Sequence, residues 1–307
     1  MEVKYHSWAK YVFLCSYLQA CEKIYKYRPG MIRFYYCDLF SGDGKCNCVL
    51  PTNEIESWDG SARSALYYCK NMGESYCGAF LNDAENMVAL QNNLKDLIDD
   101  SSKVHFFDKK ADDVIDEILV KIPVNSQSFF FLDPTAHSDL SWTTIEKIGN
   151  HTSNGNYQKK AFTRRPEIMI NLMTVGMQRN YKIPANQEAI TKALGTDEWK
   201  DEIRKCEEKE EPVYLGFERV FRKQLSNLYK DPLVNDPKEQ PTPYSFKVST
   251  AKNQVIYFMF FISSHPLANK IFKKLLPYMN EYKNKRLAEY VVWEARATGI
   301  KPLTDFY

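Results

Sequence analysis

The sequence predicts an α/β fold: a mostly parallel, Rossmann-like sheet of seven strands, with an antiparallel terminal hairpin and a helical insertion. Three observations predict it. Short runs of β-branched and aromatic residues alternate with amphipathic runs over five successive units, the pattern of a parallel sheet covered on both faces. The first such strand runs directly into a glycine turn, Asp38-Leu-Phe-Ser-Gly-Asp-Gly44. The last two strand-like runs are separated by only a few residues, which makes them antiparallel.

Taken in order, residues 8–27 carry Trp8, Tyr11, Val12, Cys15, Leu18 and Tyr25 at helical spacing and stop before Pro29-Gly30, so the spacing predicts a helix. Residues 31–37 form the first strand, and the segment after the glycine turn reads as a loop. Gly60-Ser61 opens a helix through 71, with Ser61 a candidate N-cap. A second strand over 76–81, a helix over 85–97, a third strand over 104–107 and a helix over 111–121 follow. The strongest strand, Ser128-Phe-Phe-Phe-Leu132, stops at Asp133-Pro134. A helix over 141–148, a polar loop over 150–160 and a fifth strand over 167–173 lead into a charged helical stretch, 185–230. Strands over 244–250 and 255–263 flank the loop Ala251-Lys-Asn-Gln254, and His265-Pro266 starts a final long helix. All of 1–307 is expected to form one domain, with an N-terminal helix in 1–30, a helical insertion at 185–230 and a C-terminal helical segment at 265–307.

This layout resembles class I S-adenosylmethionine-dependent methyltransferases, whereas dinucleotide-binding sheets more often continue in parallel. The near balance of 41 basic and 39 acidic residues excludes a polybasic protein held to nucleic acid by charge alone. No apolar run outlasts Val255 to Ile262, far below the ~18 residues of a membrane helix, so no membrane association is expected. Eight cysteines are too dilute for a disulfide scaffold and suit a reducing, cytoplasmic setting. Cys46 and Cys48, spaced C-N-C, fall one residue short of C-x-x-C metal spacing. Free thiols in a loop are expected there, with no metal.

In open α/β sheets the ligand sits beyond the carboxyl ends of the strands, where strand order reverses. Here those ends carry Asp38 to Gly44, Asn82 with Asp83, Asp108, and Asp133 with Pro134. Within the turn, Phe40, Ser41, Gly42, Asp43 and Gly44 let backbone approach a ligand closely, while Asp38 or Asp43 can accept hydrogen bonds from an ammonium group. Asn47 and the distance to the helix at Gly60 count against a phosphate cradle, and so against a dinucleotide-dependent oxidoreductase. Asn82 can bond a ribose hydroxyl, and Asp83 either does so or caps the following helix. Asp133-Pro134 can hold an amine with its lone pair toward an electrophile, or simply end the strand in a turn. His137 and Trp142 are candidates for contact with a substrate ring, or pack under a loop. Lys270, Lys273, Lys274, Lys283, Lys285 and Arg286 give the last helix a basic face, either solvated or set against a nucleic-acid backbone.

The chain also resembles a family, the bacterial and archaeal three-Cys-motif partner proteins. The resemblance spans Phe34 to Leu276. It rests on D-L-F-S-G-D-G at 38–44, G-S-A at 60–62, F-F-L-D-P at 130–134, I-N-L-M at 170–173, G-T-D-E-W at 195–199 and S-H-P-L at 264–267. It implies a methyltransferase fold, an S-adenosylmethionine site carried by Asp38, Phe40, Gly42 and Gly44, and an amine-facing Asp133-Pro134, as in enzymes acting on exocyclic amino groups of bases. Three departures stand out: Asn82 replaces an acidic ribose partner, Asp108 and Asp112 flank Lys109 and Lys110, and Thr135-Ala136 supplies no aromatic after Asp-Pro. Two functions are therefore carried forward. One is a methyltransferase acting on a nucleic-acid base or related amine. The other is a methyltransferase-fold accessory protein acting with a partner enzyme.

Overall fold

The computed structural model describes residues 2–27, 32–250 and 254–297, with backbone alone for residue 283 and residues 286–297. The chain runs α1 (Trp8–Lys26), β1 (Phe34–Asp38), β2 (Lys45–Val49), β3 (Ile55–Asp59), α2 (Ser61–Lys70), β4 (Tyr76–Asn82), α3 (Met87–Leu94), β5 (Val104–Phe107), α4 (Ala111–Lys121) and β6 (Gln127–Leu132). It continues with α5 (Trp142–Gly149), β7 (Ser153–Tyr157), β8 (Lys160–Arg164), β9 (Glu167–Leu172), α6 (Thr174–Asn180), α7 (Pro184–Leu194), α8 (Glu198–Glu208), α9 (Val213–Tyr229), β10 (Tyr244–Ser249), β11 (Val255–Ile262) and α10 (Pro266–Ala297).

Seven strands form one sheet in the order β10-β11-β9-β6-β1-β4-β5. β1, β4, β5, β6 and β9 run parallel, and β11 is antiparallel to both β9 and β10. The expected antiparallel terminal hairpin is present, with its reversed strand next to the edge. β11 slips between β9 and β10, which leaves β10 at the edge running with the rest. A parallel sheet with one reversed strand next to last is the class I methyltransferase layout, and the fold is Rossmann-like.

The central strands are buried on both faces, and their alternation divides the core in two. Phe34, Tyr36, Phe129 and Phe131 join α1, α2 and α10 on one face. Tyr35, Cys37, Phe130 and Leu132 join α4, α5 and α7 to α9 on the other. The Phe-rich run 129–131 thus needs no polar alternation, because each of its side chains meets a helical layer.

Two hairpins occupy segments read as loops. β2 and β3 pair antiparallel, and their return brings the Gly60 amide to the Gly44 carbonyl at 2.9 Å. Cys46 and Cys48 lie on β2 and face inward together, so their one-residue spacing is the period of a strand. β7 and β8 pair through a tight turn at Gln158 and Lys159, both with positive φ (50° and 66°). The loop read between β10 and β11 and the Pro29-Gly30 stop lie partly or wholly outside the described residues.

Candidate functional site

β1 leads through α2 to β4 and β5 on one side, after which α4 carries the chain back across to β6 on the other side of β1. Strand order reverses between β1 and β6, so the crevice lies beyond their carboxyl ends. Asp38 closes β1, and Asp133 follows β6.

The glycine turn is held tightly. Asp38 is fully buried and accepts from the Tyr36 hydroxyl at 3.1 Å and the Phe40 amide at 3.1 Å, with Ser61 at the start of α2 also bonded to it. Burial pushes its carboxyl up to about 7, opposed by the Ser61, Phe40 and Tyr36 hydrogen bonds and reinforced by the negative charge of Asp133. The Ser41 hydroxyl donates to the Asp38 carbonyl at 3.2 Å, and the Ser41 amide to the Asn82 carbonyl at 2.9 Å. The Asp43 carboxylate accepts from the Lys45 amide at 3.0 Å.

Gly42 and Gly44 take positive φ (60° and 81°), which side chains rarely adopt. Gly60 sits so near Gly44 that a Cβ on it would lie 2.8 Å from the Gly44 carbonyl carbon. The β2–β3 hairpin is therefore an excursion that closes on itself, and in space the glycine turn abuts the N-terminus of α2. The sequence argument that a long loop separates turn from helix fails for this reason. What distinguishes the fold from a dinucleotide sheet is the reversed strand.

Asp133 is almost enclosed. Its carboxylate pairs with the Lys10 ammonium, delivered by the first turn of α1, and accepts from the Asn171 amide at 2.8 Å. The Asn171 carbonyl oxygen, beside that carboxylate, is buried with no hydrogen-bond donor among the described residues. Tyr11, also from α1, is buried here. Burial pushes its hydroxyl well above its usual range, with Cys46, Asp133 and Asp38 adding to the effect. The Cys46 thiol donates to that hydroxyl at 3.2 Å. Lys10, Tyr11, Cys46 and Tyr36 were not singled out from the sequence as parts of this site. Asn171 was marked only as part of I-N-L-M, and its position at the end of β9, beside β6, was the available signal.

The remaining predicted residues separate. Asn82 is buried, and its amide is fully engaged with backbone: it donates to the carbonyls of Leu39 (3.0 Å) and Lys109 (2.9 Å) and accepts from the Lys109 amide (3.2 Å). It fastens three strand ends. Asp83 accepts from the Gly42 amide at 2.8 Å and from the amides of Glu85 and Asn86, so it joins the glycine turn to the entry of α3. The helix it was read to open at Glu85 begins at Met87, after an Asn86 cap. Asp108 is exposed beyond β5. Pro134 is buried and ends the strand.

His137 and Trp142 are both packed in the structure, the alternative to a substrate contact that their positions left open. His137 is buried so closely under Gly176 of α6 that a Cβ there would come within 2.7 Å of its Nδ1. Trp142 lies in the core, edge-on to Phe221 and against Gly195. On α10, Lys270, Lys273, Lys274 and Lys285 are exposed, whereas the side chains of Lys283 and Arg286 fall outside the described ones.

Among the described residues no cluster of His, Cys, Asp and Glu could hold a metal ion, and no helix is long and apolar enough to cross a membrane. No family model matches the chain, and no curated protein does. Solved structures with a similar course include a Legionella pneumophila protein of the DUF519 family model, at 11% identity and TM-score 0.46, covering 90% of this chain and 93% of that one. A Bacillus cereus O-methyltransferase, solved with S-adenosylhomocysteine, is 11% identical at TM-score 0.39, covering 81% and 80%.

Proposed function

We propose that the chain is an S-adenosylmethionine-dependent methyltransferase whose acceptor is an amine nitrogen, with an amino group of a nucleic-acid base as the favoured acceptor. The observation that carries the proposal is the Asn171 carbonyl oxygen, buried beside the Asp133 carboxylate with no donor of its own. A buried acceptor left without a donor costs stability, on the order of 1–3 kcal/mol. An amine seated at Asp133 supplies N–H groups to both oxygens. The resemblance to enzymes acting on exocyclic amino groups of bases favours a nucleic-acid base as that acceptor.

The glycine turn fits the methyl donor. Gly42 and Gly44 keep backbone free of Cβ atoms, α2 aims its N-terminus at the turn, and Asp38 offers a carboxylate at the strand end. When bound, the donor would supply an electrophilic methyl group to the nitrogen, which would shed one N–H proton to the Asp133 carboxylate that accepts it. The chain's part is positioning. Asp133 and Asn171 accept the acceptor's N–H groups, so its lone pair points toward β1, and Tyr11, neutral across the physiological range, helps wall off water. Asp133→Ala and Asn171→Leu should each abolish transfer while donor affinity stays within about threefold, since neither touches the turn. Unchanged turnover in both variants removes the pair from the mechanism.

A second reading has its own observation. Lys10 already occupies Asp133, the place an acceptor amine would take. An accessory protein of methyltransferase fold, working beside a partner enzyme, has no need to vacate it. Lys10→Ala separates the two: the enzyme gains acceptor affinity, and the accessory protein shows no transfer in either form.

A further inference from the structure

At the opposite end of the sheet, beyond the amino ends of β1, β6 and β9, a cleft of about 320 Å³ opens between α1, the start of α10 and the sheet. It is independent of the methyl-transfer reading, shares no residue with the crevice at Asp38 and Asp133, and is of the size of small-ligand sites. Ile24 and Tyr25 of α1, Ile32 and Ile271 of α10 give it apolar walls.

Its polar groups are predominantly donors. Gln127, at the start of β6, is only 9% exposed, and its Nε2 has no hydrogen-bond partner. Arg164 lines the same cleft and uses one nitrogen on the Asn125 carbonyl, which leaves its guanidinium with N–H groups to offer, whereas the Arg33 guanidinium turns to the Tyr35 hydroxyl and Cys77 on the other face of the sheet. α10 begins here, so its positive end faces the same space. The one carboxyl, Glu167, has both oxygens taken, by the Tyr17 hydroxyl at 2.7 Å and the Ser263 hydroxyl at 3.1 Å. The neutral donor His265 is held by its neighbours: its Nδ1 accepts from the Leu267 amide, and burial lowers it to about 4. A buried amide nitrogen lacking an acceptor, a guanidinium group and a helix N-terminus, all around apolar walls, call for a ligand with an acceptor-only head and an apolar body.

We propose that this cleft binds a small organic carboxylate, its head on Gln127 Nε2 and the Arg164 guanidinium and its apolar body against α1 and Ile271. Titration calorimetry of the full chain with 3-phenylpropionate, its neutral amide and the matching amine, 3-phenylpropylamine, tests it. The carboxylate should bind about tenfold or more tighter than the amide, and the amine not at all. Gln127→Leu and Arg164→Gln should each weaken the carboxylate about tenfold, with circular dichroism and melting temperature reporting an intact fold. If Gln127→Leu fails to fold, Arg164→Gln alone decides. Equal binding of acid and amine, no binding of the acid at millimolar concentration, or unchanged affinity in a folded variant each overturns the assignment.

Discussion

Lys10 and Asp133 set the chemistry of the crevice at the scale of single residues. Both are nearly enclosed, with side-chain exposures of 12% and 7%, so removing one partner strands a charge. Lys10→Met should lower unfolding free energy by about 3 kcal/mol in urea titration, and adding Asp133→Asn should recover part of the loss, because the stranded carboxylate is then gone. Equal stability of Lys10→Met and wild type would mean that the pair is not formed. A sequence reading reaches Asp133 because Asp-Pro ends a strand so visibly. It cannot reach Lys10, since a lone lysine in an amphipathic helix reads as solvated, and only the packing of α1 over the sheet brings it to β6. Asn82 shows the converse. Its place at a strand end suggested a ligand contact, yet its amide is consumed by Leu39 and Lys109.

Among the elements, the major strands and helices follow from their patterns: Val104–Phe107 and Ala111–Lys121 form where apolar spacing and flanking polar residues place them. The two small hairpins were illegible for a physical reason. β2 and β3 are short and mostly exposed, and β7 is the polar Ser-Asn-Gly-Asn-Tyr, so neither presents a buried run. The β7–β8 turn also lacks the expected signal. Gln158 and Lys159 occupy left-handed positions where Asn-Gly is preferred. Replacing them by Asn-Gly should raise stability by about 1 kcal/mol in thermal unfolding. The β2–β3 hairpin depends instead on the Gly60 contact. Gly60→Ala places a methyl against Gly44 backbone and should cost about 1–3 kcal/mol while disordering the glycine turn, seen as a lower melting temperature together with lost donor affinity.

Across the whole molecule, two buried carboxyls at opposite ends of the sheet shape its pH response. Burial raises Asp38 from 3.8 to about 7 and Glu167 from 4.5 to about 7. The unfolded chain releases these protons near pH 4, whereas the folded chain keeps them until about neutrality. Stability from these groups is therefore fully present at low pH and falls as pH rises from about 4 to about 7. Glu167→Gln should flatten its share of that fall, on the order of 3 kcal/mol, in unfolding titrations across the same range. A slope identical to wild type would contradict the buried-acid description.

The crevice between β1 and β6 is the point at which fold and proposed chemistry meet, and donor binding tests it most directly. Titration calorimetry of the intact chain with S-adenosylmethionine should give one site per chain in the micromolar range, lost in Gly42→Val, where positive φ excludes the branched side chain, and kept in Asp133→Ala. No heat of binding at high micromolar donor, or equal affinity in Gly42→Val, would contradict the assignment of the glycine turn as a methyl-donor site.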